Sequence, residues 1–412
     1  MFRRLLVAIF LCLSALITAQ EGTTSPYSFY GVGMQKFRGT MENRSMGGIG
    51  IFSDSIHLNL QNPAAYSELR LVNFSVAASY QLNAQQTLSA KQRNESVSLD
   101  YLAIGIPMGK LGVGLGVMPN TAVGYHFMSE NEDGVTEYSG EGGMNKVFLS
   151  AGYQVTPNLS LGIDAGYNFG KSENSLINQK SDVAYGTRVR DFSRSHGFSL
   201  NFGAIFKKPL NEKLEVIGAV TYAPSLNLYT NNSRSISTVS IRATGMTTID
   251  EREIYKPNDE MSYPSEFSIG AGISYPKHWG IGLSYANKQM SNFNGTAFDT
   301  ENANFKTASK FNIGGFYIPE YNSFNKYFKR IVYRAGIRFE ESGIEVNGHG
   351  INEFGISFGL GMPAGRTFSN INVGFEIGRR GTKDYGLIQE NFFNTIISFS
   401  LSDLWFEKKL YD

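Results

Sequence analysis

Cysteine is almost absent: the 412 residues contain one, Cys12, inside an N-terminal apolar run. A mature chain without it has no disulfide, no thiolate metal site and no thiol nucleophile. The residues before it, Ile9-Phe10-Leu11, lack the small side chains of a lipobox, so no lipid anchor is expected. Histidine is scarce as well, and His57, His126, His196, His278 and His349 fall in separate segments with no H-E-x-x-H spacing. No metal centre and no cofactor are expected from such scatter. The Gly-x-Gly run Gly112-Val113-Gly114-Leu115-Gly116 has no P-loop Lys-Ser/Thr after it, and no G-x-S-x-G elbow occurs, so the chain does not read as an enzyme. An excess of one charge is lacking too. Lys+Arg number 37 and Asp+Glu 36, a net charge of +1 that gives no case for nucleic acid as a partner. Charged residues are 18%, below the ~25% of a soluble domain. Long hydrophobic runs are missing after the N-terminus, which excludes a bundle of membrane helices of ~20 apolar residues each.

What is present is an export signal followed by glycine and aromatics. Arg3 and Arg4 precede the apolar stretch Leu5 to Ile17, and Thr18-Ala19-Gln20 supplies small residues for cleavage near Ala19 or Gln20. Residues 1–20 are therefore read as a signal peptide, and the mature chain leaves the cytoplasm. Glycine numbers 45 and aromatics make up 13%, too many for a disordered chain.

The rest alternates. Ile371, Val373, Phe375 and Ile377 are interleaved with Asn372, Gly374, Glu376 and Gly378. Phe354, Ile356, Phe358 and Leu360 are set against Gly355, Ser357 and Gly359, and Leu159 to Asn168 repeats the arrangement. Successive side chains of a strand point to opposite faces, so each segment has one apolar face and one small or polar face. A sandwich would turn the apolar face inward; a membrane barrel would turn it out to lipid. The polar face is Gly, Ser and Asn rather than Lys and Glu, which suits a lumen. Tyr80, Tyr153, Tyr167, Tyr222, Tyr275 and Tyr285 stand at strand ends, which suits an interfacial girdle. Short connections such as 156–158 alternate with stretches read as long external loops, at 172–194, 243–263 and 287–306. The expectation is an all-β transmembrane outer-membrane barrel of about fourteen antiparallel strands over residues 71–406, with a short tail at 407–412. Pro224, Pro276 and Pro319 mark local bends at strand ends.

Residues 21–70 do not alternate, yet they carry Ile49, Ile51, Phe52, Ile56 and Leu60, which argues for packing inside the barrel as a hatch or plug. The order Arg44-Ser45-Met46-Gly47-Gly48-Ile49-Gly50, then Phe52-Ser53-Asp54-Ser55, then Asn62-Pro63-Ala64-Ala65 resembles the start of the FadL/TodX outer-membrane transporters. With Gly386 to Asn394 and the stretch from Asp403 to Lys409, the layout looks like the Bacteroidota branch of that superfamily. The resemblance implies a 14-stranded barrel with an N-terminal hatch, and gives Asn62, Pro63 and Ala64 the part of the hatch motif. It implies passive, hatch-gated diffusion of small hydrophobic molecules of fatty-acid or aromatic type. The alternative is a non-transporting barrel subunit or docking protein of an outer-membrane secretion or assembly complex. Arg334, Arg338, Glu340 and Glu376 are candidate lumen charges, either bracing the plug or receiving a ligand carboxylate. The expected partners are membrane lipid and lipopolysaccharide, the latter through the basic residues Lys171, Lys180, Arg188, Arg190 and Arg194. A hydrophobic ligand or an outer-membrane protein complex would complete the list.

Overall fold

The computed structural model describes residues 22–242, 245–290, 303–323, 325–364 and 369–403. The export signal, residues 291–302 of the 287–306 connection, Trp405-Phe406 and the tail 407–412 lie outside these residues. The strands are β1 (Met34–Gln35), β2 (Val72–Gln86), β3 (Lys91–Met108), β4 (Leu111–Asn131), β5 (Gly134–Thr156), β6 (Leu159–Lys180) and β7 (Gly186–Pro209). They continue as β8 (Glu215–Ala223), β9 (Leu226–Arg242), β10 (Gly245–Ile254), β11 (Asp259–Tyr263), β12 (Glu266–Tyr275) and β13 (Trp279–Lys288). The last are β14 (Ala303–Phe305), β15 (Ala308–Tyr317), β16 (Val332–Val346), β17 (His349–Pro363), β18 (Asn370–Arg380) and β19 (Gln389–Asp403). One short helix, α1, spans Met41–Ser45.

Fourteen staves close the cylinder: β2 to β8 in sequence order, then β12, β13 and β15 to β19, every pair antiparallel. β19 returns to β2 in the register Thr395↔Tyr80 and Phe399↔Val76, so the ladder leaves no edge around the ring. The alternation decides which face goes where. On β19, Ile397, Phe399 and Leu401 point out and are exposed, while Asn394, Ser398 and Ser400 point in and are buried. The same outward set recurs as Leu161, Ile163, Tyr167 and Phe169 on β6, Phe198, Phe202 and Phe206 on β7, and Ile281, Leu283 and Tyr285 on β13. In water such a belt would be a large aggregating patch; in hydrocarbon it needs no cover.

The expected long loops at 172–194 and 243–263 are not loops. β6 runs on to Lys180 and β7 begins at Gly186, so only a tight turn separates them. β9 and β10 form a hairpin, and β11 continues down to β12. β5 alone has 23 residues, about 75 Å of strand, where a tilted span takes about 9–11. On β5 to β7 the exposed large apolar residues stop near Val147, Phe169 and Phe198, and the strands continue past them. One side of the barrel therefore rises as a β-wall beyond the apolar belt, at the end opposite Val72 and Asp403. The opposite side, with ten residues each in β13 and β15, stays short. The basic residues placed in the 172–194 loop are strand residues. Arg188 is buried against Ser237 and Thr248, and Arg190 pairs with Glu173 at 2.9 Å. Of the three prolines, Pro224 sits at the bend between β8 and β9, while Pro276 and Pro319 lie in connections.

Candidate functional site

Residues 22–71 occupy the lumen. Their backbone forms three short helical turns, each started by a side-chain cap. Ser25 caps Pro26–Phe29; Thr40 and Asn43 make a reciprocal capping box on α1; Asn62 caps Pro63–Glu68. Pro63 stands at the first helical position, where its missing N–H costs nothing.

The barrel meets these turns with glycine. A Cβ on Gly162 would lie 2.3 Å from the Ala64 nitrogen, one on Gly203 2.1 Å from Asn62 Oδ1, and one on Gly112 1.8 Å from the Tyr66 carbonyl oxygen. Across the lumen, Gly314 and Gly336 leave the same space for the Met46-Gly47 turn. Glycine on the inner face is thus the imprint of the plug on the wall. Apolar contacts fill the remainder. Leu58, Tyr66 and Leu69 pack on Tyr101, Met118 and Phe148, while Ile49, Ile51, Ala64 and Ala65 pack on Ile205 and Ile217.

Asn62 does two jobs. Its Oδ1 accepts from Ala64 N (3.1 Å) and its Nδ2 donates to the Ala204 carbonyl of β7 (3.2 Å). Pro63 and Ala64 are buried with it.

A chain of buried charges braces the opposite side. Glu376 on β18 accepts from Arg44 of α1 (2.9 Å) and from Arg338 on β16 (2.7 Å), and Asn394 Nδ2 donates to it at 2.9 Å. Arg338 also pairs with Glu353. Arg380 joins Glu353 (2.6 Å) to Glu390 (2.9 Å), and the Ser25 hydroxyl donates to Glu390 at 2.8 Å. The plug thus enters the chain at both ends, through Arg44 and Ser25. Glu340 stands at its margin, 3.6 Å from Arg338 and 3.3 Å from Lys310. Of the four lumen charges named from sequence, Arg338, Glu340 and Glu376 come together. Arg334 sits apart, donating to Asn372 at 3.3 Å beside α1. Arg44, Glu353, Arg380 and Glu390 belong to the same chain of charges and were not singled out from sequence. The inward parity shared by Glu353 with Gly355 and Ser357 could have marked it.

Further ties run the height of the plug. Arg38 pairs with Glu266, Lys207 donates to the Ser53 carbonyl (2.8 Å), and Ser67 bonds Ser160 (2.9 Å). At the rim beside Asn73 and Ser402, Asp54 and His57 pair at 2.7 Å. Burial works against both charges, yet each partner outweighs it, holding the carboxyl below its ordinary value and the imidazole above its own.

A cavity of about 300 Å³ remains between plug and wall. Lys36, Asp100, Lys146, Glu266, Lys310 and Glu340 line it. Burial brings the Lys36 ammonium down to about 8, against the pull of Asp100. Phe37 is held between Arg44 (5.9 Å) and Lys310 (5.6 Å). The rest of its lining is in good part apolar, with Leu60, Met118, Leu200, Leu226 and Phe305 among it.

No curated protein matches the chain. Among solved structures, the toluene transporter TodX of P. putida superposes with a TM-score of 0.65 at 15% identity, over 90% of this chain and 100% of that one. The CymD monoaromatic hydrocarbon channel gives 0.61 at 13%, over 90% and 99%. A Pseudomonas aeruginosa FadL homologue gives 0.57 at 11%, again over 90% and 99%. The fold is therefore that of the FadL/TodX outer-membrane barrels. A family model described as BamG matches residues 1–412, and the chain belongs to the BamG family.

Proposed function

We propose that this protein is a closed outer-membrane barrel serving as a docking subunit of a membrane protein complex, and that it carries out no catalysis. The observation that carries the reading is the ion-paired plug. Arg44, Glu376, Arg338, Glu353, Arg380 and Glu390 tie it to four staves. Removing one partner from a buried pair costs about 3–5 kcal/mol, and displacing the plug would break several at once. An apolar molecule crossing the 300 Å³ cavity would have to strip water from the lysines and carboxylates that share its lining with apolar side chains. In this reading the Asn62-Pro63-Ala64 turn anchors one side of residues 21–70, and Arg338, Glu340 and Glu376 brace the other. The family name BamG lends further support.

A second reading keeps the fold's other association, passage of small hydrophobic molecules with residues 21–70 as a moving hatch. It is favoured by the solved structures of like fold, described as a toluene transporter and a monoaromatic hydrocarbon channel.

One preparation separates the two. The protein is purified from its native outer membrane in mild detergent, and its company is identified by mass spectrometry. A stable protein assembly without small-molecule cargo is expected. A lone barrel with one equivalent of fatty acid or hydrocarbon would overturn the docking reading in favour of transport.

A further inference from the structure

The β-wall that rises beyond the apolar belt does not end in a closed ring. β10 is hydrogen-bonded along one side only, to β9, in the register Gly245↔Arg242 through Ile254↔Arg234. Its other side has no ladder partner among the described residues. All ten of its residues are exposed. Below it, β11 likewise pairs only with β9, and a stave-to-stave ladder resumes only at Glu266↔Lys288. Among the described residues the result is a long strand edge without a neighbour, the feature that sheet proteins usually cover, shorten or block with proline. No proline falls between Gly245 and Ile254.

Its side chains are of two kinds. Met246, Ile249 and Ile254 are exposed, and Tyr255 just after them is 88% exposed, all past the level of Phe198, where the exposed apolar residues of β7 stop. Ile249 stands at a bulge, where the register shifts between Thr248 and Asp250. The charges are mostly of one sign. Asp250, Glu251, Glu253 and Glu260 face Arg252 and Lys256, and Lys256 is committed to Asp191 on β7 at 2.7 Å. From the neighbouring strands, Arg188 reaches Thr248 (3.1 Å) and Arg190 is taken by Glu173. Glu251, Glu253 and Glu260 share one face of this edge, opposite the uncharged Ser237, Ser235 and Tyr229 of β9, and make that face acidic, whereas Asp250 lies on the other face with Arg252, Arg234 and Arg242. Two copies meeting edge to edge would set acid against acid, which disfavours self-association.

We propose that β10 is a strand-addition site for a basic, extended segment of a partner protein, which continues the β-wall by main-chain hydrogen bonds and places its cations opposite Glu251, Glu253 and Glu260. This deepens the docking reading and rests on it. Main-chain pairing would supply affinity and the acidic side chains would supply choice of partner.

The test uses the purified full-length barrel in detergent and three synthetic ten-residue peptides: one alternating lysine with valine and threonine, an acidic twin with glutamate for lysine, and a proline-interrupted copy of the first. Backbone amide exchange over 245–254 is followed by mass spectrometry. Strand addition predicts protection of these amides by the basic peptide alone, with affinity about tenfold above the acidic twin at low salt. The triple variant Glu251→Lys, Glu253→Lys, Glu260→Lys should invert that preference. A control variant at another hairpin tip, Glu130→Lys with Glu132→Lys, should leave it unchanged. Heat-dependent gel mobility verifies that each barrel is folded. Binding without amide protection, equal binding of both charged peptides, or amides already protected in the free protein would each overturn the proposal. The native-membrane preparation keeps the two readings apart. An assembly that survives the triple variant intact sinks the edge but spares the docking role, whereas a lone, ligand-loaded barrel sinks both.

Discussion

Replacing Glu376 by glutamine tests whether the plug is locked. The substitution keeps shape and removes charge. Glu376 is 2% exposed and holds two guanidinium groups, Arg44 at 2.9 Å and Arg338 at 2.7 Å. The consequences for the two differ. Arg338 keeps Glu353 and Glu340, whereas Arg44 keeps only Asp100, 3.8 Å away. The cost, about 3–5 kcal/mol for an orphaned buried partner, therefore falls on α1 rather than on the barrel, whose ladders β17–β18–β19 are main-chain bonds. At a factor of ten per 1.4 kcal/mol, the population with α1 detached rises about 10²–10³-fold. Amide exchange should quicken over residues 41–48 while β17 to β19 stay protected. In planar bilayers the native barrel should be electrically silent and the Glu376→Gln barrel should show brief openings. Adding Arg44→Met removes the stranded cation and should recover part of the loss, a coupling readable from the double-mutant cycle. Unchanged exchange at α1 together with a silent variant would refute the claim that these charges hold the plug. Steady conductance in the native protein would refute the closed lumen.

Other outcomes follow from the same contacts. Gly162→Val drives a side chain into the Ala64 backbone and should expel the Asn62–Glu68 turn, seen as lost protection at 62–68, while Gly218→Ala, with nothing within 4 Å of the new Cβ, should be silent. Asn62→Ala removes a helix cap and a tie to β7, and denaturant titration followed by a reporter on the plug should show a loss of about 1–2 kcal/mol. Lys36 titrates near 8 in the folded protein against 10.5 unfolded, so the unfolded form binds the extra proton between those values. Its contribution is unfavourable below 8 and relieved as pH rises toward 10.5, and Lys36→Met should flatten that part of the stability–pH curve. The Asp54–His57 pair has the opposite dependence on base: its help is lost as pH rises through the raised imidazole value, and lost again in acid below the depressed carboxyl value. The nitrogen chemical shifts of His57 would trace it.

The alternation in 371–377 and 395–401 was sufficient for the barrel because lipid on one face and a lumen on the other impose contrasting chemistry on successive residues. Where that contrast vanishes the reading failed. In 172–194 the few apolar strand residues, Leu176, Ile177, Val189 and Phe192, fall on both parities even though Leu176 and Val189 pack on Phe29, Val123 and Tyr125, so the period of two leaves no clear trace and the stretch reads as loop. The same blindness hid β10, whose residues are exposed on both faces.

The plug lies between these cases. Its apolar residues Ile49 and Ile51 and the Asn62-Pro63 start of a turn are local features, as are the glycines of the inner face; all are written in the chain itself. Which glycine receives which turn is not. Sequence by itself determined the class of fold and the inward parity of Arg338 and Glu376, because both depend on residue type and spacing alone. The tertiary structure alone decided that Arg44 would meet a carboxylate 332 positions away, that Arg334 would stand outside that chain of charges, and that one strand edge would remain open. Ion pairs and edges are fixed by how the ring closes, and closure is a property of fourteen staves together that no one of them carries.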